Sequence, residues 1–239
     1  MKFAGEVDPY LDGTKFSKMR GFDVDTDGDQ NLERIDHLVE MCGGAKLIHV
    51  GFADHLPLLD EKIAGGRWLH KRLTESAERC IGVDIDEQAV ATIQEKYGID
   101  DIYVHDMTAE SLLEPVVSES WDMMLMADVL EHIDNPVEFL SALGANYADR
   151  VDKFVIAVPN AFSLPNLLST FKHKEVINTD HRYWFSPVTL AKVAVQAGFR
   201  VEKFSLCRTH REASFWRRTL VDRFPLARAS VVMELRRAT

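Results

Sequence analysis

The chain contains no run of about 18 consecutive apolar residues, which excludes a membrane-spanning helix, and no membrane partner is expected. Cysteine is scarce: Cys42, Cys80 and Cys207 are the three in 239 residues, scattered and without metal-ligand spacing. That excludes a disulfide scaffold and a thiolate zinc site, and a reduced cytoplasmic compartment is the simplest reading. The opening MKFAGEVDPYLDG has no apolar signal core. Positive charge is also in deficit, 28 Lys+Arg against 38 Asp+Glu for a net −10, which disfavours a broad nucleic-acid footprint. Internal repeats and low-complexity tracts are absent.

What is present is ordinary for a globular protein: 46% hydrophobic and 28% charged residues, in a length that suits one α/β domain with modest additions. Residues 1–30 are polar and Asp-rich and are expected to form an irregular acidic arm. Residues 31–239 are expected to form a single domain, with an excursion over 161–185 placed to act as a lid. Helical spacing predicts helices over 31–41, 67–79, 87–97, 136–147, 164–171 and 186–197. Short apolar runs predict strands over 46–50, 80–83, 102–104, 121–127, 153–158, 200–206 and 230–235. Strands alternating with helices argue for a parallel sheet wrapped on both faces. Charge is uneven. Residues 199–239 hold ten Lys+Arg against four Asp+Glu, with Arg217, Arg218, Arg223, Arg236 and Arg237 supplying half of the cations. This reads either as a solvated face or as a dock for an anionic substrate or nucleic acid. Phe215, Trp216, Leu220 and Phe224 within it are expected to mark a partly buried helix.

Residues 121–136, WDMMLMADVLEHIDNP, carry the most information. Met123, Met124, Leu125, Met126 and Ala127 lack polar alternation, as a strand buried on both faces does. Asp128 stands where that strand ends. Asn135, Pro136 and Glu138 are an N-cap, a first-position proline and a third-position acid. Strand, acid, loop and helix make a βα unit whose carboxyl end faces a ligand crevice. Glu131 and His132 fall near its mouth. In CIGVDID the strand ends at Asp84, whose carboxylate can accept both ribose hydroxyls of a nucleoside; Asp86 is expected to cap the next helix instead. In LIHVGFADH, Gly51 opens the turn after the first strand and Ala53 is small enough for a ligand to approach. DVDTDGDQNLER begins like a calcium loop at Asp23, Asp25, Asp27 and Gly28. Its twelfth position is Arg34, a cation where a bidentate acid is needed, and no metal site is expected.

Across about residues 45–206 these motifs resemble the class I S-adenosylmethionine-dependent methyltransferases of small-molecule or glycan type. The resemblance implies a Rossmann-like, doubly wound α/β fold. Its seven-stranded sheet is mostly parallel with the last strand antiparallel, and helices cover both faces. It implies S-adenosylmethionine as cofactor, contacted by Gly51, Phe52 and Ala53 in place of a glycine-rich loop, and by Asp84 and Ile85. Asp106 is placed to receive the adenine amino group and Met107 to pack on the ring, with Ala127 and Asp128 closing the cradle. The segment DHRYWFSPVTLAKVAVQAGFRVEKF is similar to a C-terminal region of such enzymes. It puts Asn160, His181 and Tyr183 over the crevice as substrate contacts, with His181 and His132 as candidate bases. The acceptor is expected to be a small molecule or saccharide-type hydroxyl compound rather than nucleic acid; the oligomeric state stays open. The alternatives are a degenerate nucleoside-binding or scaffold protein of the same fold, and a NAD-dependent oxidoreductase holding its ribose at Asp84. Against the latter, residues 52–55 offer no glycine-rich pyrophosphate seat. The Arg-rich end is the motive for a nucleic-acid methyltransferase.

Overall fold

Apolar runs without polar alternation become the middle of a sheet. In the computed structural model, which describes residues 1–27, 29–209 and 215–238, nine strands form. They are β1 (Lys2–Phe3), β2 (Val24–Asp25), β3 (Lys46–Val50), β4 (Arg79–Asp84), β5 (Ile102–Val104), β6 (Trp121–Ala127), β7 (Val151–Pro159), β8 (Phe199–Cys207) and β9 (Ser230–Arg237). Between them run α1 (Asp8–Leu11), α2 (Arg34–Cys42), α3 (Leu56–Ala64), α4 (Leu69–Ser76), α5 (Glu87–Tyr97) and α6 (Glu114–Val117). The later helices are α7 (Pro136–Tyr147), α8 (Leu164–Thr170), α9 (Pro187–Gln196) and α10 (Phe215–Arg223).

Strands β3 to β9 form one seven-stranded sheet in the order β5-β4-β3-β6-β7-β9-β8. The pairs from β5 through β7 are parallel; β9 inserts antiparallel between β7 and β8, so only the last strand is reversed. The expected fold is the observed one. Alternate residues of β6 feed opposite faces: Met124 and Met126 enter one core with Leu140 of α7 and Leu190 of α9, while Leu125 and Ala127 enter the other with Leu38 of α2 and Leu73 of α4. Double burial is why this strand shows no polar alternation. Chain order runs outward from β3 in both directions, so the carboxyl ends of β3, β4 and β6 surround a topological switch point. Register holds them level, since Val50 pairs with both Val83 and Met126.

Four local expectations are corrected. The N-terminal stretch is not wholly irregular: β1 and β2 pair antiparallel, and Phe204 donates its N–H to Met1 O at 3.0 Å, so the arm blunts the edge of β8. The second helix starts at Arg34 rather than 31, because Asn31 is left-handed at φ +51° and the Glu33 carboxylate caps the N–H groups of Ile35 and Asp36. Two helices, α3 and α6, stand in stretches where the sequence predicts no element. Finally, α10 is not half-buried: Val221 alone of its residues is buried, while Phe215, Trp216 and Leu220 are exposed. As for the calcium-like stretch, both Asp29 oxygens take the buried Arg228 guanidinium at 2.6 and 2.5 Å, and Gly28 lies outside the described residues.

Candidate functional site

The loops at the carboxyl edge are tied to one another. Gly51 turns the chain out of β3 at φ +70°, and a Cβ there would lie 2.4 Å from Val129 Cγ2. Only glycine fits both the backbone and the neighbour. Asp84, closing β4, accepts the Ala53 N–H at 3.0 Å on one oxygen and the Asp86 N–H at 3.0 Å on the other. Burial raises its pKa above the ordinary carboxylate value, against these backbone donors. Asp86 caps α5 through the Ala89 N–H at 2.9 Å, as expected. Beside Asp84, the Ile85 side chain is 74% exposed.

Two expected cofactor contacts, Phe52 and Met107, and one expected substrate contact, Asn160, are placed otherwise. The Phe52 ring is buried with Leu59, Trp68, Val90, Ile93 and Ile102, and fills the space over Gly82, where a Cβ would meet it at 2.8 Å. Only its backbone faces the loop. Met107 is 2% exposed and belongs to the main core, so it cannot lie on a ligand ring. The turn after β5 explains this: Asp106 folds back to accept the Thr108 N–H and hydroxyl at 2.8 and 2.7 Å, which holds its carboxyl below the usual range and sends the next side chain inward. Asn160 is fully buried. Its amide donates to Leu226 O and Arg228 O at 2.9 and 2.7 Å, and its oxygen accepts the Phe162 N–H at 3.0 Å. It pins the base of the excursion to the turn after α10 and has no free atom for a substrate.

The structure brings His132 and His181 together. Their ring centroids lie 4.7 Å apart with planes at 86°. His132 Nδ1 is 3.2 Å from Asp180 O and 3.4 Å from its carboxylate. His181 Nε2 lies 3.1 Å from the Asn178 amide, while its Nδ1 is buried without a partner. Burial, then the neighbouring His132, lowers the His181 pKa. Glu131, on the same turn, is wholly buried and neither carboxyl oxygen has a hydrogen-bond partner. Burial and then the nearby Asp128 carboxylate push its pKa up to about 8. One ligand atom from each of Glu131, His132 and His181 falls within 4.8 Å of the others, a set that suits a proton relay or a divalent cation. Spacing alone does not mark Glu131 as the third member; the sequence signal is its place directly before His132 on the strand-following turn. Asp128 itself is left-handed at φ +57°, and Arg34 of α2 donates to both its oxygens at 2.6 and 2.5 Å. Ala127, the last residue of β6, is buried beside it. Tyr183 is partly exposed, with its hydroxyl donating to Asp134 O at 2.8 Å. The Arg182 N–H donates to Glu131 O at 2.8 Å, which seats the excursion on the histidine turn.

A methyltransferase-domain family profile matches residues 63–203, more than half of the chain. The chain belongs to the methyltransferase-domain family. The expected class I S-adenosylmethionine-dependent methyltransferase, with that cofactor, is thereby borne out. No curated protein sequence matches this methyltransferase. Among solved structures it is similar to magnesium protoporphyrin IX methyltransferase from Synechocystis PCC 6803 with bound S-adenosylhomocysteine, at 15% identity and TM-score 0.54 over 85% of this chain and 82% of that one. It is also similar to a small RNA methyltransferase at 16% identity and TM-score 0.56, covering 94% of this chain but 27% of the other. A methyltransferase from Aquifex aeolicus matches at 13% identity and TM-score 0.50, over 86% and 90% of the two chains. These likenesses concern the fold. The acceptor type is left open by neighbours that include a porphyrin and an RNA enzyme.

Proposed function

We propose that this methyltransferase transfers the methyl group of S-adenosylmethionine to a hydroxyl of a small-molecule or saccharide-type acceptor held under the excursion over 161–185. The observation that carries the reading is the meeting of buried Glu131 with the half-buried His132 and His181 after the carboxyl end of β6. The sulfonium supplies a methyl group already activated for attack, so the chain's task is to bind, align and exclude water. Gly51, Ala53 and the Phe52 backbone form the floor of the cofactor seat. The lone pairs that Asp84 has left would accept the ribose hydroxyls, and Ile85 offers the apolar surface that the inward turn of Met107 removes. Asp106 retains a free oxygen for an amino group, while Ala127 and Asp128 bound the far side. His181 is neutral at pH 7 because its pKa is lowered, and its Nε2, the lone pair now facing the Asn178 amide at 3.1 Å, can accept the acceptor's hydroxyl proton when the acceptor takes that amide's place.

A second route to the same activation rests on the same three groups. A divalent cation on Glu131, His132 and His181 would satisfy the orphaned Glu131 carboxyl oxygens and would acidify a bound hydroxyl. Loss of turnover in chelator, restored by added magnesium, manganese or zinc, selects the cation route. The small RNA neighbour makes nucleic acid the contrary acceptor, and net charge of −10 stands against it. Calorimetry tests the cradle. Asp84→Asn is expected to weaken S-adenosylmethionine binding by about 1.5–3 kcal/mol, the range for hydrogen bonds to a charged group. His181→Ala is expected to leave that affinity intact and lower methyl transfer. Unchanged affinity in Asp84→Asn removes Asp84 from the site.

A further inference from the structure

Helix α10 is held to the protein by one buried residue, Val221. Its remaining surface combines charged residues with exposed apolar ones. Trp216, Leu220 and Phe224 recur every four residues, so they form one stripe along the helix and its first following residue. Trp216 is 75% exposed and Phe224 56%. Arg217 and Arg223 flank this stripe on either side, whereas Arg218 lies past the buried Val221, on the side of Asp222. No described acid lies within ion-pair distance of any of the three. The acid of the helix, Asp222, faces the other way, accepting from Asn31 at 2.6 Å and standing 3.7 Å from Arg208.

Position adds to pattern. α10 joins the end of β8 to the start of β9, and Ser230 pairs with Pro159 at the end of β7. The helix therefore stands on the carboxyl edge of the sheet, with the crevice. Asn160 ties the turn after α10 to the base of α8, whose Leu167, Leu168 and Phe171 are also exposed. Apolar side chains thus protrude from two neighbouring elements on one edge of an otherwise acidic molecule.

We propose that α10 docks this protein peripherally on an anionic phospholipid bilayer, Trp216, Leu220 and Phe224 entering the interface and Arg217 and Arg223 meeting lipid phosphates. Charge complementarity selects this occupant: an aromatic stripe fringed by arginines that have no ion-pair partner among the described residues matches an acyl boundary beneath a negative headgroup layer. A second copy fits poorly, because a self-complementary interface would bring the arginine fringes together. The absence of a spanning helix among the described residues is compatible, since an interfacial helix lies on the bilayer. The inference does not depend on methyl transfer.

The test is co-sedimentation of the full chain with vesicles of phosphatidylcholine alone, or with about one third phosphatidylglycerol. Binding to the anionic vesicles is expected, weakening with salt, with a blue shift in tryptophan emission. Of the four tryptophans, Trp68 and Trp121 are buried and Trp184 is half-buried, so Trp216 gives the largest part of that shift. Trp216→Ser should remove most of the shift, and Arg217→Gln with Arg223→Gln should reduce vesicle affinity about tenfold or more. All three positions are exposed, and an unchanged thermal melt confirms the fold. The proposal is overturned by no binding to anionic vesicles at low salt, or by variants that bind as wild type. It is equally overturned if the variants instead dissociate a dimer or abolish binding to single-stranded RNA while vesicles stay unbound.

Discussion

A carboxyl group with no exposed surface and no hydrogen-bond partner keeps its proton, and Glu131 is in that position. Unfolded, it ionises near 4.5; folded, burial and Asp128 lift it to about 8. Below 4.5 both states are protonated. As pH rises from 4.5 to 8 the unfolded chain gives up a proton that the folded protein retains, so this stabilising contribution is lost across that window. Glu131→Gln removes the dependence. Thermal melts should show a gap between variant and wild type that is small near pH 5 and grows in the variant's favour towards pH 8. A gap independent of pH would show that Glu131 is ionised in the fold. Legibility at this scale depended on what decides a side chain's direction. Asp86 was readable as a cap because capping is set by adjacent residues. Met107 and Phe52 were misplaced because the inward turn of each depends on space made by distant chain, Gly82 in the case of Phe52. Asn160 has the polar tip of a substrate contact, but Leu226 and Arg228, more than sixty residues away, use it.

At the scale of elements, the strand–loop passage from β3 is the most constrained part of the crevice. Gly51 is left-handed and Val129 sits 2.4 Å from where its Cβ would be. Valine is stiff at χ1 and cannot swing away cheaply. Gly51→Ala should therefore destabilise the protein by about 1–3 kcal/mol through backbone strain and overpacking. Adding Val129→Ala should recover the steric part and leave the backbone part, which urea melts of the single and double variants would resolve. Full recovery would mean that the left-handed backbone costs nothing; no loss in Gly51→Ala would mean that the turn rearranges. Elements with strong ends were legible: α7 begins at Asn135-Pro136 and α5 ends at a left-handed Gly98, both marked in the sequence. The helix α3 was not, although Leu56, Leu59 and Ile63 have helical spacing, because Leu59 alone is buried and no side chain caps its start. In α10 the aromatic residues promised burial that the fold does not provide.

The whole molecule combines opposing responses to pH. Sheet and helix layers enclose a second titratable pair, His49 of β3 and His70 of α4, with Nδ1 atoms 3.2 Å apart and both rings buried. One ring donates and the other accepts, so the pair is neutral. Burial is the main cause of the low pKa values, with His49 well below its ordinary value and His70 at about 3. The unfolded chain protonates both near 6.5. Stability from a neutral buried histidine is thus present above 6.5 and lost as pH falls towards the folded value. A ring that stays neutral loses roughly 2 kcal/mol between pH 7 and 5. Glu131 acts oppositely over the same interval, gaining stability on acidification by a similar order. Wild type should therefore show a shallower dependence between pH 5 and 7 than either contribution alone. Urea melts at pH 5, 6 and 7 would separate them. Glu131→Gln should make the protein more acid-sensitive. His49→Val with His70→Leu, although weakened at pH 7 by lost packing, should gain stability as pH falls. Parallel pH profiles in all three proteins would mean that neither buried site titrates differently in the folded and unfolded states, and the proposed neutral Glu131 would lose its physical basis.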